Sequence, residues 1–271
     1  MEMTPAAELA LQQICDSVFP IGAYSHSYGL ETYIQLDLVR DEATARAFLE
    51  AQVRYPLTYT ELLSMRLAYG MAEELRGAAE GGLAVGEAAA DFDAALGEAA
   101  ADCDAARARE AALAGIARLV DLEARLAALK TPREMREASE RLAARFIRTV
   151  PDLAALGPRE LAAFRAYAAA RGSHAVTVSY GAFAALAGID LVHLLRRYLY
   201  AQVSALTVTC VKSVPLSQMA GQRLIAGLRE LEACAVERAL TADESLLGLS
   251  MPGFDVRSIE HETLYSRLYM S

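Results

Sequence analysis

Cysteine and histidine are scarce in this 271-residue sequence, and neither is closely spaced. The residues are Cys15, Cys103, Cys210 and Cys234, and His26, His174, His193 and His261. Without a CxxC pair or two histidines four residues apart, the spacing supports no zinc knuckle, no disulfide framework and no two-histidine metal face on one helix. A nickel site assembled from one histidine of each subunit of a dimer, or with a contribution from Cys15, is possible, and His26 and Cys15 are the weak candidates for it.

Basic charge is also in short supply, with 26 Lys and Arg against 35 Asp and Glu and a net charge of −9. Most of the deficit falls in residues 77–106, which carry seven acids and no Lys or Arg. No basic stripe is available for a phosphate backbone, so nucleic-acid binding is not expected. Residues 77–112 are rich in alanine, glycine and acid, and we interpret them as a loosely attached acidic insertion that is helical in part.

Long hydrophobic runs are missing as well. The most apolar run, residues 203–211, contains three hydroxyl side chains and ends at Lys212, well short of the ~20 residues of a membrane span. The amino terminus lacks the basic-then-apolar pattern of a secretory signal. No glycine-rich loop is followed by the Lys-Ser or Lys-Thr of a phosphate-binding loop. We therefore expect a cytoplasmic protein that is neither a membrane protein nor a P-loop hydrolase.

Helical signals fill nearly the whole chain, and no stretch alternates as an exposed strand does. Asp41 is placed to cap a helix, and Pro56 to open the next one. Residues 174–187 are compatible with strand or helix, and we predict a buried helix because no partner strand is evident. Asp190 is placed to cap a helix over residues 191–214, whose wide apolar face is expected of a central element.

The fold that these signals predict is an all-α, single-domain bundle of about ten helices over residues 1–271. Hydrophobic residues make up 54% of the chain, enough for a sizeable core. The last segment of the bundle, residues 255–271, is expected to be amphipathic.

A corner after the first predicted helix is the most distinctive stretch. Pro20 and Gly22 interrupt the helix, and Ser25 is placed as a cap for the next one. Ser25, His26 and Asp16 also allow a hydrolytic pocket, since a nucleophile needs a base and the base an orienting acid. Closeness in sequence is weak support for a triad, which is defined by spatial geometry. A structural histidine and a capping serine are the favoured interpretation.

Two surfaces are candidates for protein contacts. Arginine and tyrosine, which dominate interface hot spots, cluster at residues 196–200 on the predicted central helix. A helix edge with arginines extended toward solvent explains this cluster equally well. The run at residues 261–269 offers the same choice, because a frayed terminus is common but this one is aromatic and apolar enough to need a partner.

Four separated segments together resemble the UreF family of urease accessory proteins and span almost the whole chain in the family's order. The first is Phe19-Pro20-Ile21-Gly22 followed by Ser25-His26-Ser27-Tyr28-Gly29-Leu30-Glu31. The second is Arg133-Glu134-Met135-Arg136 with Arg145-Phe146. The third runs from Tyr198-Leu199-Tyr200 through Val214-Pro215-Leu216-Ser217-Gln218 to Gly221-Gln222. The fourth is His261-Glu262 with Tyr265-Ser266-Arg267-Leu268-Tyr269. The first and last are the distinctive ones.

The resemblance implies an all-α, non-catalytic assembly factor without a cofactor. UreF-like proteins form homodimers and bind the accessory protein UreH, also called UreD. Together these recruit the nickel-carrying GTPase UreG to apo-urease and couple nickel insertion to GTP hydrolysis. The structural signature by position is Pro20, Gly22, Ser25, His26, Gly29 and Glu31. The positions implied for dimer or partner contacts are Arg196, Tyr200, His261, Tyr265, Arg267, Leu268 and Tyr269, the last five on a segment expected to order when UreH binds.

Three features depart from the family pattern. The acidic stretch is longer than usual, Ser217 stands where glycine is common, and Ala143 stands where many relatives have glycine. Two other functions stay open from the residues alone. One is a helical hydrolase with a pocket at Ser25 and His26, and the other is a direct nickel carrier.

Overall fold

The computed structural model describes residues 3–23, 26–80, 103–153, 156–170 and 172–269. Every regular element in those ranges is helical, which confirms the predicted all-α fold. The α-helices are α1 (Pro5–Ile14), α2 (Leu30–Gln35), α3 (Glu42–Gln52), α4 (Leu63–Glu80), α5 (Cys103–Leu129), α6 (Arg133–Leu153), α7 (Pro158–Ala168), α8 (Val176–Leu186), α9 (Leu191–Ser213), α10 (Gln218–Thr241) and α11 (Pro252–His261). A π-helix (Val53–Leu62) joins α3 to α4, and a 3-10 turn (Glu244–Leu246) follows α10.

Some predictions fall outside the described residues. They are the cap at Ser25 and residues 81–102 of the expected acidic insertion. Among the helices that are described, none is both long and apolar enough to cross a bilayer.

The prediction that a helix begins at Pro56 is wrong, because Pro56 lies inside the π-helix and α3 continues through it into α4. Proline has no amide to donate and its ring crowds the preceding turn of an α-helix. Here the backbone widens instead of ending. The Thr58 hydroxyl donates to the Val53 carbonyl (2.5 Å), and the Gly248 amide donates to the Tyr59 carbonyl (3.1 Å). Carbonyls of the irregular segment therefore find partners.

The most buried helix is α8, since all eleven of its residues are buried. The predicted buried helix at residues 174–187 is thus confirmed. On its face toward α4, a β-carbon at Gly181 would lie 2.4 Å from the Met65 carbonyl oxygen, so the two backbones approach closely. The helix α9, expected to be central, instead keeps an exposed face that carries Tyr200 and Val208.

The N-terminal corner packs against α6. Gly22 has a φ of 85°, a left-handed conformation that glycine adopts without strain. Arg145 donates to the Ile21 carbonyl (2.9 Å), and the Phe19 ring packs against the Phe146 ring at 6.1 Å. The first two segments of the family resemblance are therefore neighbours in space.

The last helix, α11, lies across α2. Gly29 starts α2 with a φ of 76°, and a β-carbon there would lie 2.8 Å from the Ser258 hydroxyl. The Thr32 hydroxyl donates to the Arg257 carbonyl (2.8 Å). The helix ends at His261, earlier than the segment predicted at residues 255–271, and residues 262–269 continue as a non-helical tail. This tail returns along α2 and α6.

Candidate partner-binding site

The tail is fastened to the protein by Glu31, whose side chain is only 7% exposed. Its Oε1 accepts a hydrogen bond from the Leu268 amide (2.8 Å), and its Oε2 accepts one from the Tyr269 amide (2.9 Å). One turn further along α2, the Gln35 side chain donates to the Ser266 carbonyl (2.8 Å). All three of these contacts use backbone groups of the tail, so the tail is held mainly through its backbone. The two to Glu31 are the stronger ones, since hydrogen bonds to a carboxylate are stronger than those between neutral groups.

His261 joins α11, α2 and α6 at one buried point. Its Nε2 lies 3.0 Å from Glu31 Oε2, and its Nδ1 lies 2.8 Å from Glu134 Oε2. The ring is fully buried. An ionised carboxylate only accepts hydrogen bonds, so both ring nitrogens are placed to donate. The two hydrogen bonds of His261 therefore link α11 to α2 and α6. The position of His261 in the sequence did not reveal this role.

The guanidinium of Arg267 completes this cluster. Its Nη1 donates to Glu134 Oε1 (2.8 Å), the carboxylate that also faces the buried histidine. Arg133, which precedes Glu134 in the sequence, donates to Glu262 (3.0 Å) at the start of the tail. Three of the four segments that carry the family resemblance meet here. They come from α2, α6 and the C-terminus, which are more than a hundred residues apart.

The outer side of the tail is apolar. Tyr265 is fully exposed and the Leu268 side chain is 79% exposed, although the backbone beside them is hydrogen-bonded to the protein. An ordered segment that shows large apolar side chains to solvent is typical of a surface that another protein covers.

A cavity of about 710 Å³ lies between the N-terminal corner and α9, next to the tail. Tyr200 and Val208 of α9, Val18 of the corner and Tyr269 of the tail line it, and Val18 is 84% exposed. Arg196, one turn before Tyr200, is exposed on α9. The structure therefore places the two sequence-predicted contact regions, α9 and the C-terminal segment, side by side.

A buried ion pair in the core was missed by the sequence analysis. Lys130 Nζ lies 2.9 Å from Glu61 Oε1, and their side chains are 9% and 5% exposed. The Tyr198 hydroxyl donates to the other Glu61 oxygen (3.1 Å). Burial and the charge of Glu61 raise the pKa of Tyr198 well above its usual range. The available signal was a single acid within an apolar stretch, which is rarely buried unless it is paired.

A second buried carboxylate, Glu123, lies at the N-terminus of α8. It accepts hydrogen bonds from the Tyr167 hydroxyl (2.5 Å) and from the amide of Ala175, the residue that precedes α8 (3.1 Å). His174 Nδ1 lies 3.2 Å from both of its oxygens, and His174 Nε2 lies 3.2 Å from the Ala168 carbonyl. A negative charge at a helix N-terminus is favourable. Glu123 therefore acts as the cap that α8 lacks in its own sequence.

We expect the stabilisation from His174 to fade as the pH rises. Burial alone would lower the pKa of His174, but its hydrogen bond to Glu123, the charge of Glu123 and the Ala168 carbonyl together raise it above 6.5. The stabilisation is then fully present below pH 6.5 and is lost as the pH rises through the raised folded-state pKa. Melting temperatures of the wild type and His174→Asn, from about pH 6 to about pH 9, measure this.

The control for that comparison is His193→Asn, since His193 is exposed and, among the described residues, pairs with Asp190 at the surface. Exposed pairs contribute little, so the control should melt close to the wild type throughout. A His174→Asn defect that stays constant across the pH range would contradict the assignment.

Two residues of the hydrolase alternative, Asp16 and His26, lie in the part of the chain that the structure describes. The Asp16 carboxylate accepts from the Val18 amide (2.9 Å), within its own turn. His26 is buried and lines a small cavity beside Glu61. Ser25 lies outside the described residues.

The two weak metal candidates, Cys15 and His26, both lie among the described residues. Burial, opposed in part by the charge of Arg197, raises the pKa of the Cys15 thiol to about 12. A protonated thiol is a poor metal ligand and nucleophile. In the described ranges, no three His, Cys, Asp or Glu side chains are arranged to hold a metal ion.

One departure from the family pattern has a structural explanation. The Ser217 hydroxyl accepts a hydrogen bond from the Ala220 amide (3.1 Å), so it caps α10, which begins at Gln218. Ala143, the other departure in a helix, is fully buried on α6.

Comparison with known proteins agrees with these observations. The family model for UreF matches residues 39–229. Proteins named urease accessory protein UreF are 31% identical over 265 residues in Arthrobacter sp. (strain FB24), covering 97% of both chains, and 30% identical over 270 residues in Paenarthrobacter aurescens (strain TC1), covering 99% of this chain and 100% of that one. The protein of that name in Corynebacterium glutamicum (strain R) is 27% identical over 275 residues, covering 98% of both. The chain therefore belongs to the UreF family of urease accessory proteins.

Proposed function

We propose that this protein is a non-enzymatic scaffold for urease maturation in the cytoplasm. As a homodimer it binds UreH (UreD), and the two together recruit the nickel-carrying GTPase UreG to apo-urease, so that nickel insertion is coupled to GTP hydrolysis. Family membership supports the role in urease maturation. These partners are the ones that the family resemblance implies.

The observation that carries the proposal is the arrangement of the tail. The Leu268 amide and the Arg267 side chain are hydrogen-bonded to Glu31 and Glu134 of the protein body. The side chains of Tyr265 and Leu268 face solvent. We propose that the docked tail is the conformation that UreH binds. A surface that is already formed loses less conformational entropy on association than a disordered segment would.

The dimer contact is proposed for the exposed face of α9. Tyr200 and Val208 are about half exposed there and border the large cavity, and Arg196 lies on the same helix. An apolar face with an aromatic residue and an arginine at its edge has the composition of an interface core. Each protomer carries one tail, so a dimer would hold two UreH sites, each adjacent to the dimer contact.

Arg267→Ala tests the tail's role most simply. The variant loses a charge-assisted hydrogen bond to Glu134, but the Arg267 side chain is 43% exposed, so solvent screening limits the contact to about 0.5–1 kcal/mol. We therefore expect recovery of UreH and UreG in a pull-down to fall by roughly two- to fivefold, with an unchanged circular dichroism spectrum. The matched control is Arg148→Ala, which removes an exposed arginine from the same helix that carries Glu134. Equal recovery of both partners by the wild type and Arg267→Ala would sink the proposal for the tail.

A further inference from the structure

Each of the two carboxylates that face His261 also holds the tail. Glu31 accepts from the ring and from the Leu268 and Tyr269 amides, while Glu134 accepts from the ring and from Arg267. We propose that His261 is a proton-dependent clasp: the tail stays docked while both ring nitrogens carry a proton and is released when one proton is lost. This inference rests on the proposed function in one respect, namely that the tail is the partner-binding surface.

The charges around the ring balance only when it is protonated. The groups that face it are Glu31 from α2, Glu134 from α6 and, through Glu134, Arg267 from the tail. With an imidazolium, two negative charges meet two positive ones. With a neutral ring one negative charge is left over, and the His261 and Glu31 side chains are only 1% and 7% exposed. An uncompensated charge at such a site is strongly unfavourable.

The other charged groups nearby are paired among themselves. Arg133 of α6 pairs with Glu262, and Arg257 of α11 pairs with Glu260 on its own helix. Neither pair reaches the ring nitrogens. They therefore do not replace the positive charge that His261 would lose.

Either neutral form of the ring would loosen the tail. A neutral imidazole donates through one nitrogen and presents a lone pair at the other. If the proton leaves Nε2, the lone pair faces Glu31, whose oxygens hold the Leu268 and Tyr269 amides. If it leaves Nδ1, the lone pair faces Glu134, which holds Arg267. The exposed side chains of the tail would then be presented at lower pH and withdrawn at higher pH.

Hydrogen exchange of the full-length protein alone tests the clasp. The quantity is the protection of the Leu268 and Tyr269 amides from about pH 6 to about pH 9, corrected for the intrinsic dependence of exchange on pH. We expect protection in the wild type to fall by about tenfold or more across this range, because the equilibrium between the docked and the released tail shifts toward release when the ring loses a proton. In His261→Gln it should be low and nearly constant with pH. Constant protection in the wild type, or an unchanged profile in the variant, would overturn the proposal.

A second variant guards against a folding defect in the first. Glu31→Gln keeps the size of the side chain but removes its charge, and it should also show low protection that varies little with pH. Circular dichroism reports whether each variant is folded. If neither variant folds, the wild-type profile is compared with the protection of the buried α8 amides in the same samples. A fall confined to Leu268 and Tyr269 supports the clasp, and an equal fall at both places, or none, overturns it.

Co-purification with UreH at about pH 6 and about pH 9 separates the two proposals. A tail that stays docked at both values while UreH is recovered overturns the clasp and leaves the proposed function intact. A tail that is released while UreH is recovered equally well supports the clasp and contradicts the tail as the UreH surface.

Discussion

Gly181→Ala is expected to lower the melting temperature by about 2–12 °C, equivalent to roughly 1–3 kcal/mol in a protein of this size. The added methyl group would lie 2.4 Å from the Met65 carbonyl oxygen and 3.1 Å from the Tyr69 amide nitrogen. Both are backbone atoms, so no side chain can turn aside, and α8 must move away from α4. Because α8 is buried along its whole length, that movement disturbs packing on its other sides too.

The matched control is Gly70→Ala on α4. Gly70 is exposed, and among the described residues no atom beyond the neighbouring backbone of its own helix lies within 4 Å of its β-carbon position. Alanine is the better helix former, so this variant should be more stable than the wild type by about 0.5–1 kcal/mol. The same substitution should thus have opposite signs at the two positions. A stabilised Gly181→Ala variant would contradict the close packing of α4 on α8.

Lys130→Met is expected to destabilise the protein by about 3–5 kcal/mol, the usual range when one partner of a buried ion pair is removed. Methionine keeps much of the length of the side chain but leaves Glu61 with the Tyr198 hydroxyl as its remaining partner among those described. The measurement is the midpoint of urea unfolding at neutral pH, with the slope checked to be unchanged.

Two comparisons make the Lys130 result interpretable. Arg40→Ala removes an ion pair whose side chains are 61% and 75% exposed, and it should change stability by less than about 0.5 kcal/mol. The double variant Glu61→Gln/Lys130→Met should recover much of the lost stability, because no charge is then left unpaired. A loss below about 1 kcal/mol for Lys130→Met would mean that Glu61 is solvated through the adjoining cavity.

The fold could be predicted from the sequence because its signals are local. Asp41 caps α3 with the reciprocal hydrogen bonds of a capping box, and Asp190 caps α9, as predicted from residue type and position. The helix start predicted at Pro56 was wrong, although a proline next to an apolar run usually marks one. Whether the backbone ends or widens there depends on tertiary partners such as the Gly248 amide, which lies almost two hundred residues away.

The candidate site could be predicted only in part. The resemblance singled out Glu31, His261 and Arg267 separately, with Glu31 assigned to a structural signature and the other two to partner contacts. Only the structure shows that they are hydrogen-bonded into one cluster through Glu134. Contacts across more than 200 residues leave no periodicity in a single sequence. The caps formed by distant carboxylates, such as Glu123 on α8, were missed for the same reason.

The most direct test of the scaffold proposal is size-exclusion chromatography with light scattering, on this protein co-expressed with its UreH and UreG counterparts. The proposal predicts one stable complex whose mass corresponds to two copies of each protein. A lone monomer that binds neither partner would contradict it.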